Sequence, residues 1–373
     1  MKTLLVHDWL VDSGGAEKVL ESLIEVLEPS RIFTLFYDPE NFKNSIIFKQ
    51  TIETTFLNKN FFKKRYRNFL PFFPYAIENL DTEGFDLVFS SSHCVAKGII
   101  PKVEQLNICY CHTPVRYVWD QSFEYLKLSK LDKGIKGFLS RMVFNYLRIW
   151  DESSSKRVDH FISNSDFVGK RIEKYYKRES KTIYPPCDVE PLENMPQKTE
   201  EFVFASRLVP YKRPDIVIEV FNDLKIPLKV IGDGPLYKDL KKFKKDNIKF
   251  LGYLKKEDLR REIASSLALI FPPIEDFGIL PVESQSLLTP VIALKRGGSL
   301  ETVIEPEGEN YDRATGIFFE NQDKESIKIA VEKFLKNRDK FRSESLLSNA
   351  RRFSKERFKK EIKEFVEEKV GKC

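Results

Sequence analysis

Glu275 and Glu283 stand eight residues apart in the segment FPPIEDFGILPVE, which runs from Phe271 to Glu283. Two carboxylates at that spacing mean little by themselves in a Glu-rich chain. Their context gives them meaning. The apolar run ending at Phe271 reads as a strand, and Pro281 suits the first turn of a helix, where its missing N–H costs nothing. Glu275 is then expected in the strand-to-helix loop and Glu283 in the first turn. The backbone amides of Asp276, Phe277, Gly278, Ile279 and Leu280 fall at the helix N-terminus, where unpaired N–H groups attract an anion or sugar oxygens.

A second set lies in ASRLVPYKRP, residues 205 to 214. Arg207 and Lys212 occupy a loop between an apolar strand and a helix that Pro214 begins. A forked guanidinium, a point-charge ammonium and a helix N-terminus together suit a diphosphate. A solvated basic loop is the plain alternative. A third set is CHTPVRYVWD, residues 111 to 120. Pro114 cannot continue a strand ladder, so His112 is expected where the strand ends, able to donate to a sugar hydroxyl or a developing negative charge. Of the four histidines it has the best position, although a lone histidine is often structural. Gly14 and Gly15, between the first strand and first helix, allow a close backbone approach to phosphate; alone they also fit a tight turn.

These loops need elements to hold them. Thr3–Val6 reads as a buried strand, and Gly15–Leu27 as a helix with apolar residues three and four apart. Phe85–Ser90, Leu106–Tyr110 and His160–Ser163 read as strands, and Leu131–Val158 as a long amphipathic helix. The Pro- and acid-rich stretch Tyr184–Glu193 marks a boundary. Beyond it, strands are expected at Phe202–Ala205, Leu228–Ile231, Ile248–Leu251, Leu267–Phe271, Val291–Leu294 and Gly316–Phe319, with a helix at Pro214–Leu224. This alternation, twice over, predicts two doubly wound, mostly parallel α/β domains facing across a cleft. The expected domains are 1–186, which binds the acceptor, and 187–354, which binds the nucleotide sugar. Residues 355–373 form an amphipathic helix expected to pack back on the first domain.

Composition narrows the class. The chain has 373 residues, 42% hydrophobic and 32% charged, with a net charge of +6. That is ordinary for a globular protein and too mildly and evenly charged to predict nucleic-acid binding. Five cysteines with no C-x-x-C spacing argue against a zinc site or a disulfide framework and make a reducing compartment the default. No apolar stretch reaches the ~18 residues of a membrane span, and MKTLLVHDWL does not have the form of a signal peptide. A cytoplasmic location is expected. One segment, 56–75, carries five basic residues, eight aromatics and no acid. Basic heads on aromatic bodies suit an anionic membrane surface, so peripheral contact with the inner face of the plasma membrane is expected there.

Taken in order, GGAEKVL, HTPVRYVWD, ISNSDFVGKRI, YPPCDV, ASRLVPYKRPDIVIEVF, VIGDGP, LGYL, FPPIEDFGILPVES, TPVIALKRGGSLETV and TGIFFE resemble the retaining glycosyltransferases of family 4, with the two-domain GT-B fold. The resemblance covers essentially the whole chain. HTPVRYVWD and EDFGILPVE look most like bacterial mannosyltransferases that use GDP-mannose to build O-antigen, lipopolysaccharide or exopolysaccharide. The resemblance implies that Glu275 and His112 act at the reaction centre and that Glu283 binds the nucleotide ribose. It implies that Arg207 and Lys212 hold the diphosphate, that Gly14 and Gly15 approach the phosphate, and that Asp276 to Leu280 offer amides. The acceptor, a glycan or lipid-linked oligosaccharide, is expected at Arg116, Tyr117 and Asp120. Neither a cofactor nor a metal is expected, since positive side chains take the metal's place and no D-x-D triplet occurs.

Ser284–Leu288 is bulkier than the small residue and glycine usual in the family, which keeps a UDP-sugar as the alternative donor. The competing functions are a sugar-nucleotide epimerase or hydrolase of the same fold and a non-catalytic subunit of a polysaccharide assembly complex. A scaffold has no physical need to keep His112, Arg207, Lys212 and Glu275 together.

Overall fold

The computed structural model describes residues 1–59, 63, 66–128 and 131–371. The chain divides into two compact units, Met1–Pro186 with Glu356–Cys373, and Cys187–Lys355. In the first unit, strands β1 (Thr3–His7), β2 (Arg31–Thr34), β3 (Ile52–Thr54), β4 (Leu87–Ser92), β5 (Leu106–Cys111), β6 (His160–Ser163) and β7 (Ser180–Thr182) form one sheet. Its order is β3-β2-β1-β4-β5-β6-β7, and neighbouring strands pair in parallel. In the second unit, β8 (Phe202–Ala205), β9 (Leu228–Ile231), β10 (Ile248–Gly252), β11 (Leu269–Phe271), β12 (Val291–Leu294) and β13 (Gly316–Phe319) form a parallel sheet ordered β10-β9-β8-β11-β12-β13. Helices connect the strands, as the alternation predicts. Those used below are α1 (Gly15–Leu27), α2 (Gly134–Ser155), α3 (Pro214–Leu224), α4 (Ile279–Ser286) and α5 (Lys355–Val370).

Strands β8, β11 and β12 read as unbroken apolar runs because each is buried on both faces. Leu4 and Val6 of β1 enter one core layer and Leu5 the other, the alternation of a pleated strand. In β8, Phe202 and Phe204 enter one layer and Val203 and Ala205 the opposite one. Helix α5 presents Phe358, Ile362 and Val366, four residues apart, to the layer that holds Leu5 and Leu20. Full burial of each such side chain contributes about 1.5–3 kcal/mol. Lys359 Nζ lies 3.1 Å from Glu25, and Arg357 donates to the Tyr184 carbonyl at 2.7 Å. The terminal helix thus belongs to the first unit's core.

Several boundaries differ from the sequence expectation. Strand β4 runs to Ser92 rather than ending at Ser90, because its register with β5 continues through Ser92 and Cys111. Three serines hid the strand's end from a hydrophobicity reading. Strand β11 begins at Leu269, the amide of Leu267 being taken by the Glu201 carbonyl. Helix α2 is shorter at both ends than Leu131–Val158. Glu283 is the fifth residue of α4, in its second turn rather than its first, because the helix already begins at Ile279.

Candidate functional site

In an open parallel sheet, ligands gather at the carboxyl ends of the strands where the strand order reverses. In the first unit that point lies between β1 and β4. His7 ends β1 and pairs in register with Ser91 of β4. His112 directly follows β5, its amide bonded to the Ser92 carbonyl at 2.8 Å. Ser91 Oγ stands between two rings, 3.2 Å from His7 Nδ1 and 2.8 Å from His112 Nε2. The ring of His93 lies 6.1 Å from that of His7 and 6.2 Å from that of His112.

Asp8, wholly buried, organises the loop after β4. Its carboxylate accepts the backbone N–H groups of His93, Cys94, Val95 and Ala96 at 2.6, 2.9, 2.5 and 2.7 Å. It also lies 3.6 Å from His93 Nδ1. Burial pushes His112 well below the ordinary histidine range, and the neighbouring His93 and His7 push it further. Burial lowers His93 too, against an opposing pull from Asp8. His112 is therefore a neutral imidazole near pH 7.

The glycine loop joins this cluster through Glu17. The Gly14 amide donates to Glu17 Oε2 at 2.8 Å, so the Glu17 side chain satisfies the N-cap backbone at the start of α1. Glu17 Oε1 lies 3.6 Å from His7 Nε2. Burial raises the Glu17 carboxyl, but His7, His93 and a backbone hydrogen bond together outweigh it and the net shift is downward. Gly14 and Gly15 are themselves exposed. A line of contacts thus runs from Gly14 through Glu17, His7 and Ser91 to His112.

In the second unit the strand order reverses between β8 and β11. The loop leaving β8 carries Arg207 and Lys212, and the loop leaving β11 carries Glu275. Lys212 Nζ is ion-paired with Glu275 Oε1, both side chains mostly buried, while Arg207 is exposed. The GDG turn after β9 makes room for the first loop. A Cβ on Gly232 would lie 1.9 Å from the Ser206 carbonyl oxygen, and one on Gly234 would lie 2.5 Å from that of Leu208. The second loop rests on Gly297 and Gly298. The Gly298 amide donates to the Glu275 carbonyl at 2.9 Å. The Phe277 ring turns into the core against Phe353, centroids 5.3 Å apart. Gly278, with φ at 91°, then starts α4, and Asp276 is buried while Ile279, Leu280 and Glu283 are half-buried. An ammonium, a carboxylate and a helix N-terminus at one switch point suit a phosphorylated sugar.

The segment after His112 is divided among three partners. Arg116 acts electrostatically on His93, lowering it. Tyr117 Oη lies 2.7 Å from Cys94 Sγ. Asp120 is paired at 2.5 Å with Arg171, which also donates to Thr113 Oγ1 at 2.7 Å. Of the basic aromatic segment 56–75, residues 60–62, 64 and 65 lie outside the described residues; Phe56, Phe72 and Tyr75 are exposed.

Sequence reasoning passed over His7, Asp8, Glu17 and His93. For His93 the signal was masked, since it directly follows an end of β4 that Ser90–Ser92 hide. For Asp8 there was none, because its partners lie 85 to 88 residues away.

Two family models match, Glycosyltransferase Family 4 over residues 13–191 and Glycosyl transferases group 1 over residues 191–353. The chain is 26% identical to an uncharacterized glycosyltransferase of Methanocaldococcus jannaschii, over 95% of this chain and 93% of that one. It is 23% identical to the human alpha-1,3/1,6-mannosyltransferase ALG2, over 77% and 74% respectively. It is 30% identical to a GDP-mannose-dependent monoacylated alpha-(1-6)-phosphatidylinositol monomannoside mannosyltransferase of Corynebacterium glutamicum, over 31% and 36%. Among solved structures, Anabaena HepE in complex with UDP and glucose superposes with a TM-score of 0.68 at 16% identity, over 98% of this chain and all of that one.

Proposed function

The chain belongs to the glycosyltransferases, a family 4 domain followed by a group 1 domain on the GT-B fold, and on that premise we propose that it moves mannose from GDP-mannose onto a lipid-linked glycan with retention of anomeric configuration. The observation that carries this reading is the pairing of Lys212 with Glu275 at the switch point of the second sheet, beside the start of α4. Two relatives bearing mannosyltransferase names support the choice of sugar, and one of those names supports the donor.

In this mechanism Arg207 and Lys212 bind the two phosphates, and the amides at the start of α4 add their partial positive charge. Glu275 accepts hydrogen bonds from the sugar hydroxyls, and Glu283 from the ribose. The first unit contributes Gly14 and Gly15 to the phosphate and neutral His112 to the sugar, with the acceptor bound by Arg116, Tyr117 and Asp120. The acceptor hydroxyl forms the new bond to the anomeric carbon on the face from which GDP departs. The anomeric C–O bond breaks, its electron pair goes to the diphosphate, and a phosphate oxygen takes the hydroxyl proton. Catalysis is then chiefly stabilisation of the leaving diphosphate by fixed positive charge, and no divalent ion is required. The product is a cell-surface polysaccharide precursor, made at the cytoplasmic face of the membrane.

A thermal-shift screen with GDP, UDP and ADP and their sugar conjugates, with and without EDTA, tests the donor. A ligand at 100 times its Kd stabilises by about 2.7 kcal/mol, a shift of several degrees. The expected result is a shift with GDP and GDP-mannose that survives EDTA, followed by transfer to a lipid-linked acceptor with the α-anomer retained in the product. A shift with UDP-sugars alone overturns the donor. Epimerised or freed sugar without acceptor overturns transfer.

A further inference from the structure

Helix α2 has two apolar faces. One is buried, where Phe144 and Leu147 pack against Val118 and Leu126, and Trp150 enters the neighbouring core layer. The other points outward. Ile135, Phe138, Leu139, Met142, Tyr146 and Ile149 are each 45% to 80% exposed. At about 100° of rotation per residue these six fall in a stripe roughly 100° wide, on the side opposite the buried face. Single exposed apolar side chains are ordinary, but a contiguous stripe of six marks an interaction surface.

The charges beside the stripe say what covers it. Along its whole length the helix carries the exposed Lys136 and Arg141 and the half-buried Arg148, against one exposed acid, Glu152, and Asp151, which is buried and paired with Lys97. On the helical projection Lys136 flanks one edge of the stripe and the two arginines the other. Lys133, at the N-cap, adds a further exposed cation. A second copy docking on this face by two-fold symmetry would bring like charges together. An anionic lipid surface meets both needs, accepting the apolar side chains at the headgroup boundary and attracting the flanking cations. Among the described residues no helix is long and apolar enough to cross a membrane, so the contact is one of lying on the surface.

We propose that α2 is the membrane-docking element of this protein, lying in the plane of an anionic bilayer with the Ile135–Ile149 stripe facing the acyl chains. This goes beyond the proposed reaction and is independent of donor and acceptor. It also locates the contact on α2 rather than on segment 56–75.

The test is co-sedimentation of the full chain with vesicles of phosphatidylcholine alone, or mixed with phosphatidylglycerol, with no sugar nucleotide present. Wild type is expected to bind the mixed vesicles. The variant Phe138→Ser/Met142→Ser/Ile149→Ser is expected to lose at least about tenfold in partitioning with an unchanged melting temperature. Lys136→Gln and Arg141→Gln are each expected to lose about fivefold on the anionic vesicles, equivalent to roughly 1 kcal/mol per cation near such a surface. Failure of wild type to bind, or undiminished binding by the triple variant, overturns the proposal. So does a loss confined to Phe56→Ser/Phe72→Ser/Tyr75→Ser, or a wild-type dimer that the triple variant turns into monomer in sedimentation velocity.

Discussion

The ammonium of Lys212 is paired with the carboxylate of Glu275, 63 residues further along the chain, where the loops leaving β8 and β11 converge. Each charge holds the other in place. A donor that draws Lys212 to its phosphates and Glu275 to its sugar must replace this pair with its own contacts. The two residues therefore fail differently when changed. Glu275→Gln is expected to lower kcat by about 10²- to 10³-fold, the scale of losing one transition-state contact. Lys212→Met is expected to act on the KM for the donor as well as on kcat. Steady-state kinetics on both variants, with circular dichroism to confirm folding, checks this. Equal effects on KM and kcat in the two variants would sink the division of roles.

Asp8 gathers four backbone N–H groups with one buried carboxylate. Hydrogen bonds to a charged group contribute about 1.5–3 kcal/mol each, and donors left unpaired in the interior cost more. Asp8→Ala is expected to lose at least about 3 kcal/mol. For a domain of this size that lowers Tm by roughly 6 °C or more. A calorimetric shift below about 2 °C would show that water or a neighbouring group replaces the carboxylate.

The histidine cluster makes stability depend on pH with a definite sign. His112 and His93 bind protons less readily in the folded chain than in the unfolded one, chiefly through burial. Below the ordinary histidine value near 6.5 the unfolded state takes up protons that the folded state refuses. Stability is therefore full above that value and falls as pH drops beneath it, by at most about 1.4 kcal/mol per pH unit for each site. Glu17 is shifted downward instead, so its contribution holds over this window and is lost only at lower pH. Urea unfolding between pH 7.5 and 5.5 is expected to show the decline, and His112→Gln to flatten it. An identical slope in the variant counts against the assignment.

Gly298 holds the Glu275 loop by lacking a side chain. A Cβ there would lie 2.3 Å from Phe277 Cα, so backbone must move. Gly298→Ala is expected to cost about 1–3 kcal/mol, the range for overpacked sites, and to weaken donor binding because Glu275 moves with the loop. Differential scanning calorimetry with a donor titration measures both effects. Wild-type values in each would mean that the loop relaxes freely.

Much of the frame was legible along the chain. The runs Phe202–Ala205 and Leu228–Ile231 and the helix begun by Pro214 carry their own signals of apolar continuity, turn residues and a proline in the first turn. The Ser90–Ser92 end of β4 carried no such signal, because those serines are held by register with β5 rather than by their own apolar character. The amphipathic pattern of α2 was readable too. Which of its apolar sides is buried depends on where Val118 and Leu126 lie.

The candidate site divides in the same way. The types and local settings of His112, Arg207, Lys212 and Glu275 could be read as chemistry from sequence. The line from Glu17 through His7 and Ser91 to His112 could not, nor could the four amides on Asp8, nor the pairing of Lys212 with Glu275. The sequence by itself determined the alternating elements and the chemical groups on their loops, since periodicity and turn chemistry act between residues a few positions apart. Only the tertiary structure decided which groups meet, because those meetings depend on strand order and register. The reversal of order between β1 and β4, and again between β8 and β11, brings together loops that the chain keeps more than 60 residues apart.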